Sequence, residues 1–127
     1  MNFNDQGIYG FDLSLYQDNN RTTQQVDFRK MRDYGADFVV IKAGQWYYAD
    51  PDFTYNWRES KGVLPRSAYW FCDTRSRGKM QAQLFWKLVK DDQPEGFIAS
   101  DYETGSWTEW KELYNFLSEL QQLSGYP

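Results

Sequence analysis

The sequence predicts an α/β protein built on a parallel β-sheet. Three observations carry that expectation. Four short strand-like segments alternate with four helix-like segments along 127 residues. Two of the strand segments are nearly continuous runs of β-branched and aromatic residues, the pattern of strands buried on both faces. The connections are short, and none is linker-like or of low complexity. Such alternation implies parallel pairing through right-handed crossovers, either in an open doubly wound sheet or in part of a (β/α)8 barrel.

The first strand is expected in IYGFDLS, from Ile8 to Ser14. A helix follows in TTQQVDFRKMRDYG, with a Thr at its start as cap and Gly35 as its stop. DFVVIKAG, from Asp37 to Gly44, is the second strand. DFTYNWRESKG is the second helix, stopped by Gly62. VLPRSAYWF, from Val63 to Phe71, is the third strand. GKMQAQLFWKLVKDD is the third helix, with Met80, Leu84 and Leu88 on one stripe and Phe85 and Val89 beside it. GFIASDYE, from Gly96 to Glu103, is the fourth strand. The last helix, in SWTEWKELYNFLSELQQLSG, places Trp110, Leu113, Leu117 and Leu120 on one stripe. Ser106 followed by Glu109 reads as a capping box, and Gly125 as the stop. Both stripes are expected to be core surface.

Composition narrows the chemistry. The formal net charge is −4, and the basic residues are scattered apart from Arg75, Arg77 and Lys79 in one solvated loop. That balance argues against nucleic acid or an anionic membrane as partner. The chain contains no His, and Cys72 is its one Cys, so disulfides within the chain, Cys/His zinc sites and His-dependent triads are excluded. Acid–base work must fall to carboxylates, Lys or Tyr. The first residues carry no basic segment followed by an apolar one, so no signal peptide is expected, and no apolar run would span a bilayer. Aromatic residues make up 20% of the chain, with six Trp and ten Tyr. Exposed flat rings suit sugar binding, although most single rings serve the core.

Function in either β/α architecture gathers at the carboxyl ends of the strands. FDLSLYQDNN contains no glycine-rich phosphate loop, which removes the main argument for a nucleotide site. Residues two apart in a strand share a face, so Asp101 and Glu103 point the same way above Phe97 and Ala99. Asp12 ends the first strand, Lys42 and AGQW end the second, and Tyr69 and Phe71 end the third. Adjacent parallel strands would bring three carboxylates, a lysine and several rings to one rim. Glycoside cleavage needs a carboxyl that keeps its proton and a second negative group beside the sugar carbon. Crowded carboxylates push their pKa values apart, so one keeps its proton. A hydrogen-bonded helix cap, an ion pair to Lys42, and a divalent-cation site are the competing readings; the last is weakened because no further acidic cluster lies nearby.

These pieces, in this order, resemble the glycoside hydrolase family 25 lysozymes: YGFDLSLYQ, then VDFRKMRDYGADFVVIKAG, DPDFTYNWRESKGV, RSAYWF and ASDYE. The resemblance runs from about Tyr9 to Pro127. It implies a muramidase that cuts the β-1,4 bond between N-acetylmuramic acid and N-acetylglucosamine in bacterial peptidoglycan, with no cofactor and no metal. It implies Glu103 as general acid/base, and with that role the carboxyl whose pKa is expected to be raised, by Asp101's charge and by surrounding rings. Asp101 would stabilise the transition state or position the substrate's N-acetyl group, and Asp12 would be the orienting carboxylate of the first strand. Tyr69, with Lys42, Trp46 and Phe71, would line the sugar site. Two departures touch fine substrate preference: Trp70 where the family often has His, and Gly-Gln-Trp where it often has Thr-Glu-Gly.

The family fold is a modified β/α barrel, and only about the first four βα units are expected here. Residues 1–127 would then be the N-terminal half of a catalytic barrel, with no separate wall-binding domain. The exposed inner face would call for a second copy of the chain or a complementing C-terminal half. The protein would be made in the cytoplasm and act on the wall, as a released phage endolysin or an exported autolysin. A non-catalytic saccharide-binding or structural remnant of such a domain is the alternative.

Overall fold

The computed structural model describes residues 7–17, 25–103 and 110–127. Its order is β1 (Gly10–Leu13), a short 3-10 turn (Leu15–Gln17), α1 (Phe28–Asp33), β2 (Phe38–Gln45), β3 (Tyr48–Ala49), α2 (Phe53–Ser60), β4 (Arg66–Phe71), α3 (Gly78–Val89), β5 (Ile98–Asp101) and α4 (Trp110–Ser124). The four long strands lie in the order β1-β2-β4-β5. All three contacts between them are parallel. The α/β alternation expected from the sequence is therefore present.

The register sorts the side chains of the sheet. Val39, Ile41 and Ala43 of β2, with Ala68 and Trp70 of β4, are fully buried. They share one core with Phe28 of α1, Phe53 and Trp57 of α2, Phe85 of α3 and Phe116 of α4. All four helices thus cover the same face. An open doubly wound sheet would carry helices on both faces. Helices on one face, with the other left for an interior, are the arrangement of a partial β/α barrel.

The helix stops fall where the glycines are. Gly35, Gly62 and Gly125 all have positive φ, and Gly125 N–H donates to Gln121 O at 2.9 Å. α1 is capped by Asp27, whose side chain accepts from Lys30 N–H. The Thr cap and the Ser106–Glu109 capping box expected from sequence lie outside the described residues. The core stripes differ from expectation. α3 buries Ala82, Phe85 and Val89, while Met80 is exposed; α4 buries Phe116 and Leu120, while Trp110 and Leu117 are exposed. Both helices are apolar over more than one stripe, and their mutual contact selects which stripe is buried. The Phe85 and Phe116 rings stack at 6.3 Å. At Gly78 a Cβ would lie 1.9 Å from Glu112 O, so only glycine permits this approach of α3 to α4. The stripe left over on α4 lines an open groove of about 520 Å³ beside β5, between Phe97, Tyr114, Leu117 and Tyr126.

β3 was not expected. Gly44 pairs with Ala49 and Gln45 with Tyr48, which closes a two-residue hairpin on Trp46 and Tyr47. Gly44 is required there, because a Cβ would meet Tyr48 O at 2.4 Å and the Trp70 ring at 2.5 Å.

Candidate functional site

On the sheet face away from the helices, strand alternation lines up Asp12, Val40, Lys42, Tyr69, Phe71, Ala99 and Asp101. Tyr69 pairs across the sheet with Lys42 on one side and Ala99 on the other; Phe71 pairs with Gln45 and Asp101. Gln45, Phe71 and Asp101 end their strands, and Lys42 and Tyr69 lie within three residues of those ends. Glu103 lies two residues beyond β5 and is exposed, as is Asp12 at the end of β1.

Electrostatics report how close the cluster is. The Tyr69 phenol is pushed up to about 12, by burial first and then by the charges of Asp12, Asp101, Asp50 and Glu103. A phenolate there would face four carboxylates, so Tyr69 stays a neutral hydrogen-bond donor. The Asp101 carboxyl is raised, by burial first, then by the charge of Glu103 and a hydrogen bond with it; Lys42 opposes the shift. The expectation put the upward shift on Glu103, whereas Asp101 is the carboxyl for which the structure gives one.

Lys42 supplies the opposing charge. Its side chain is buried, its ammonium lies 5.5 Å from the Phe71 ring centroid and 6.0 Å from that of Tyr16, and it donates to Gln45 Oε1. The ion pair weighed from sequence is replaced by that hydrogen bond to Gln45, and Lys42 acts on Asp101 through its charge. Of the other sequence-derived candidates, Tyr69 and Phe71 line the cluster, and Trp46 stands on the rim in the β2–β3 hairpin.

Asp50 was missed as a site residue. It is buried, accepts from Leu15 N–H at 3.1 Å and Asp52 N–H at 3.0 Å, and so ties the segment after β1 to the start of α2. It lies in the ADPDF stretch, where the run of acidic residues before a helix was a readable signal. Gln81 was also missed. Its side chain accepts from Trp70 Nε1 and Asp73 N–H and donates to Asp73 O at 2.8 Å, which fixes the chain leaving β4. A lone Gln inside an apolar helix stripe carries that signal in the sequence.

The raised Asp101 carboxyl has a consequence for stability. A carboxyl with a raised folded pKa favours folding below its unfolded pKa, and that contribution is lost as pH rises through the folded value. At neutral pH the charged form therefore opposes folding. Asp101→Asn is expected to raise the melting temperature by a few degrees at pH 7, and to give little or no gain near pH 3. Thermal melts at the two values check it; an equal gain at both would mean that charge is not the cause.

The comparisons extend this geometry. The family model described as "Glycosyl hydrolases family 25" matches residues 11–127. A search of curated proteins gives no match. Among solved structures, the muramidase from Trichobolus zukalii is 27% identical, with a TM-score of 0.72 over 95% of this chain and 63% of its own. The family 25 glycosyl hydrolase from Bacillus anthracis is 24% identical, with a TM-score of 0.77 over 94% of this chain and 57% of its own. The bacterial lysozyme from Streptomyces coelicolor is 20% identical, with a TM-score of 0.72 over 94% and 59%. These likenesses carry the barrel fold, and this chain spans 57–63% of the length of those proteins.

Proposed function

This chain belongs to glycosyl hydrolases family 25, and on that premise we propose that it serves as the N-terminal part of a peptidoglycan hydrolase. The bond cut is the β-1,4 linkage between N-acetylmuramic acid and N-acetylglucosamine. The observation that carries the reading is the meeting of Asp12, Asp101, Glu103 and Tyr69 at one strand-end rim.

In this reading Glu103 protonates the leaving glycosidic oxygen and later takes a proton from water. It is exposed, two residues past the end of β5, and so can reach a polymeric substrate. Asp101, deeper in the cleft, stabilises positive charge at the sugar carbon or orients the substrate's N-acetyl group for internal attack. Both routes need one protonated and one anionic carboxyl, and two carboxyls side by side favour holding one proton between them. Asp12 orients the site from β1. Tyr69 donates a hydrogen bond to substrate or to a carboxylate, and Lys42 tempers the negative field from below. Phe71 and Trp46 offer ring surface to the sugars.

We read residues 1–127 as one barrel portion. The groove beside β5 is where further strands would close the barrel, from a longer chain, a complementing half or a second copy. The place of action is the bacterial wall, as for an endolysin or autolysin; no helix among the described residues is long and apolar enough to cross a membrane.

Product analysis tests the reading. Purified sacculi treated with the protein are expected to release fragments with N-acetylmuramic acid at the new reducing end. Reducing-end N-acetylglucosamine, or released peptides without new reducing ends, would overturn the bond assignment.

A further inference from the structure

The β2–β3 hairpin joins three consecutive rings, Trp46, Tyr47 and Tyr48, which are 46%, 43% and 48% exposed. Its backbone is costly. Trp46 has φ +52°, the one non-glycine residue with positive φ among those described. It occupies the first central position of a two-residue hairpin, where a single positive φ is ordinarily supplied by glycine. A bulky residue held in that region stores strain, and strain that persists is a pointer to function.

The ring is also held in place. Trp46 Nε1 donates to Ser76 Oγ in the segment after β4, and the Trp46 and Tyr47 rings lie 5.2 Å apart at 34°. The hairpin continues directly into the carboxylate cluster. Gln45, which pairs with Tyr48, accepts from Lys42, and Lys42 acts on Asp101. The rim thus presents a rigid aromatic ledge joined to the cleft by one strand end.

We propose that this ledge is a glycan-stacking subsite, taking a pyranose ring of an N-acetylated polysaccharide strand beyond the two sugars that flank the cut bond. This rests on the reading of the cleft as a peptidoglycan hydrolase site. The apolar C–H face of a pyranose matches an indole face. The N-acetyl methyl adds apolar contact for Tyr47 or Tyr48, and Ser76 and Gln45 set polar atoms at the edge of the rings. A tryptophan anchored by its own N–H loses little freedom on binding, so its contact area converts well into affinity.

The test uses co-sedimentation of the protein with insoluble peptidoglycan, with cellulose as the unacetylated control, and thermal melts alongside. Trp46→Ala is expected to weaken retention on peptidoglycan about tenfold, and Trp46→Phe to restore most of it. Trp46→Gly should weaken retention equally while raising the melting temperature, because glycine relieves the backbone strain. That opposite movement of binding and stability separates a ligand role from a structural one. Wild-type retention in Trp46→Ala and Trp46→Gly would overturn the subsite and leave the cleft reading standing. Equal retention on cellulose would overturn the N-acetylated class. No retention of the wild-type protein would overturn the subsite together with the reading on which it rests.

Discussion

Glu103→Gln is expected to lower peptidoglycan hydrolysis by the full-length enzyme about 100- to 10,000-fold, the usual contribution of a positioned acid–base group. The substitution keeps shape and removes the proton that the leaving oxygen needs. Because Glu103 is exposed and lies beyond the end of β5, the thermal transition should move little. Binding to sacculi should also persist, since the rings and Tyr69 are untouched. The same change deletes the charge that helps to raise Asp101, so the Asp101 carboxyl should titrate closer to its ordinary range. Side-chain carbonyl NMR of Asp101 in the two proteins would measure that shift. Near-normal lysis by the variant would remove Glu103 from the acid role, and Asp101 would be the next carboxyl to test.

The second large effect lies at the opposite end of the sheet. Arg66 starts β4 with no exposed surface. Its guanidinium donates to Glu95 Oε2 at 2.9 Å and Oε1 at 2.8 Å, to Asp92 Oδ2 at 3.0 Å and Oδ1 at 3.1 Å, and to Trp57 O at 2.9 Å. Its carbon centre sits 4.3 Å from the Trp57 ring centroid. Arg66→Met fills similar space and takes the guanidinium donors from Asp92, Glu95 and Trp57 O, leaving Asp92 to Lys61 and Glu95 to the backbone N–H of residue 66. Breaking one side of a buried ion pair costs about 3–5 kcal/mol. The low end applies here, because Asp92 and Glu95 remain partly in water. A loss of about 3 kcal/mol corresponds to a fall of roughly 10 °C in the melting temperature for a domain of this size. Differential scanning calorimetry would check it, and a fall of less than 2–3 °C would show that the cluster is not a main support.

This cluster also sets the acid limit. Hydrogen bonds from Arg66 and then Lys61 hold Asp92 down to about 2, and Arg66 holds Glu95 below its usual range. Carboxyls with depressed folded pKa values stabilise fully above their unfolded values near pH 4, and that support is lost as pH falls toward 2. The gap between wild type and Arg66→Met should therefore be widest at neutral pH and close below pH 4. Since the cluster lies at the amino end of β4 and the carboxylates at the carboxyl ends, the variant should leave the substrate preference of the residual folded enzyme unchanged.

Much of this molecule was legible in the sequence because the relevant rules are local. Strand alternation placed Asp101 on the same face as Ala99 without reference to any distant residue. Glycine at 35, 62 and 125 stopped helices because only its φ freedom suits those ends. The β/α order implied parallel strands, and parallel strands bring their carboxyl ends, with Asp12, Lys42, Tyr69 and Asp101, to one rim. Other features depended on neighbours that no local rule names. Whether α4 buries Phe116 or Trp110 follows from how closely Gly78 lets α3 approach, not from a period of 3.6 residues. The choice between a doubly wound sheet and a barrel turned on all four helices covering one face, a property of packing rather than of any segment. Asp50 gained its place only when Leu15, far away in sequence, came within hydrogen-bond distance. The upward shift of the Asp101 carboxyl arose from burial first and then from the charges of Glu103 and Asp12. The sequence by itself determined the strands, their faces and the chemical groups they carry, since those follow from backbone geometry; the tertiary structure alone decided burial, hairpin strain and protonation, since those depend on which surfaces exclude water together.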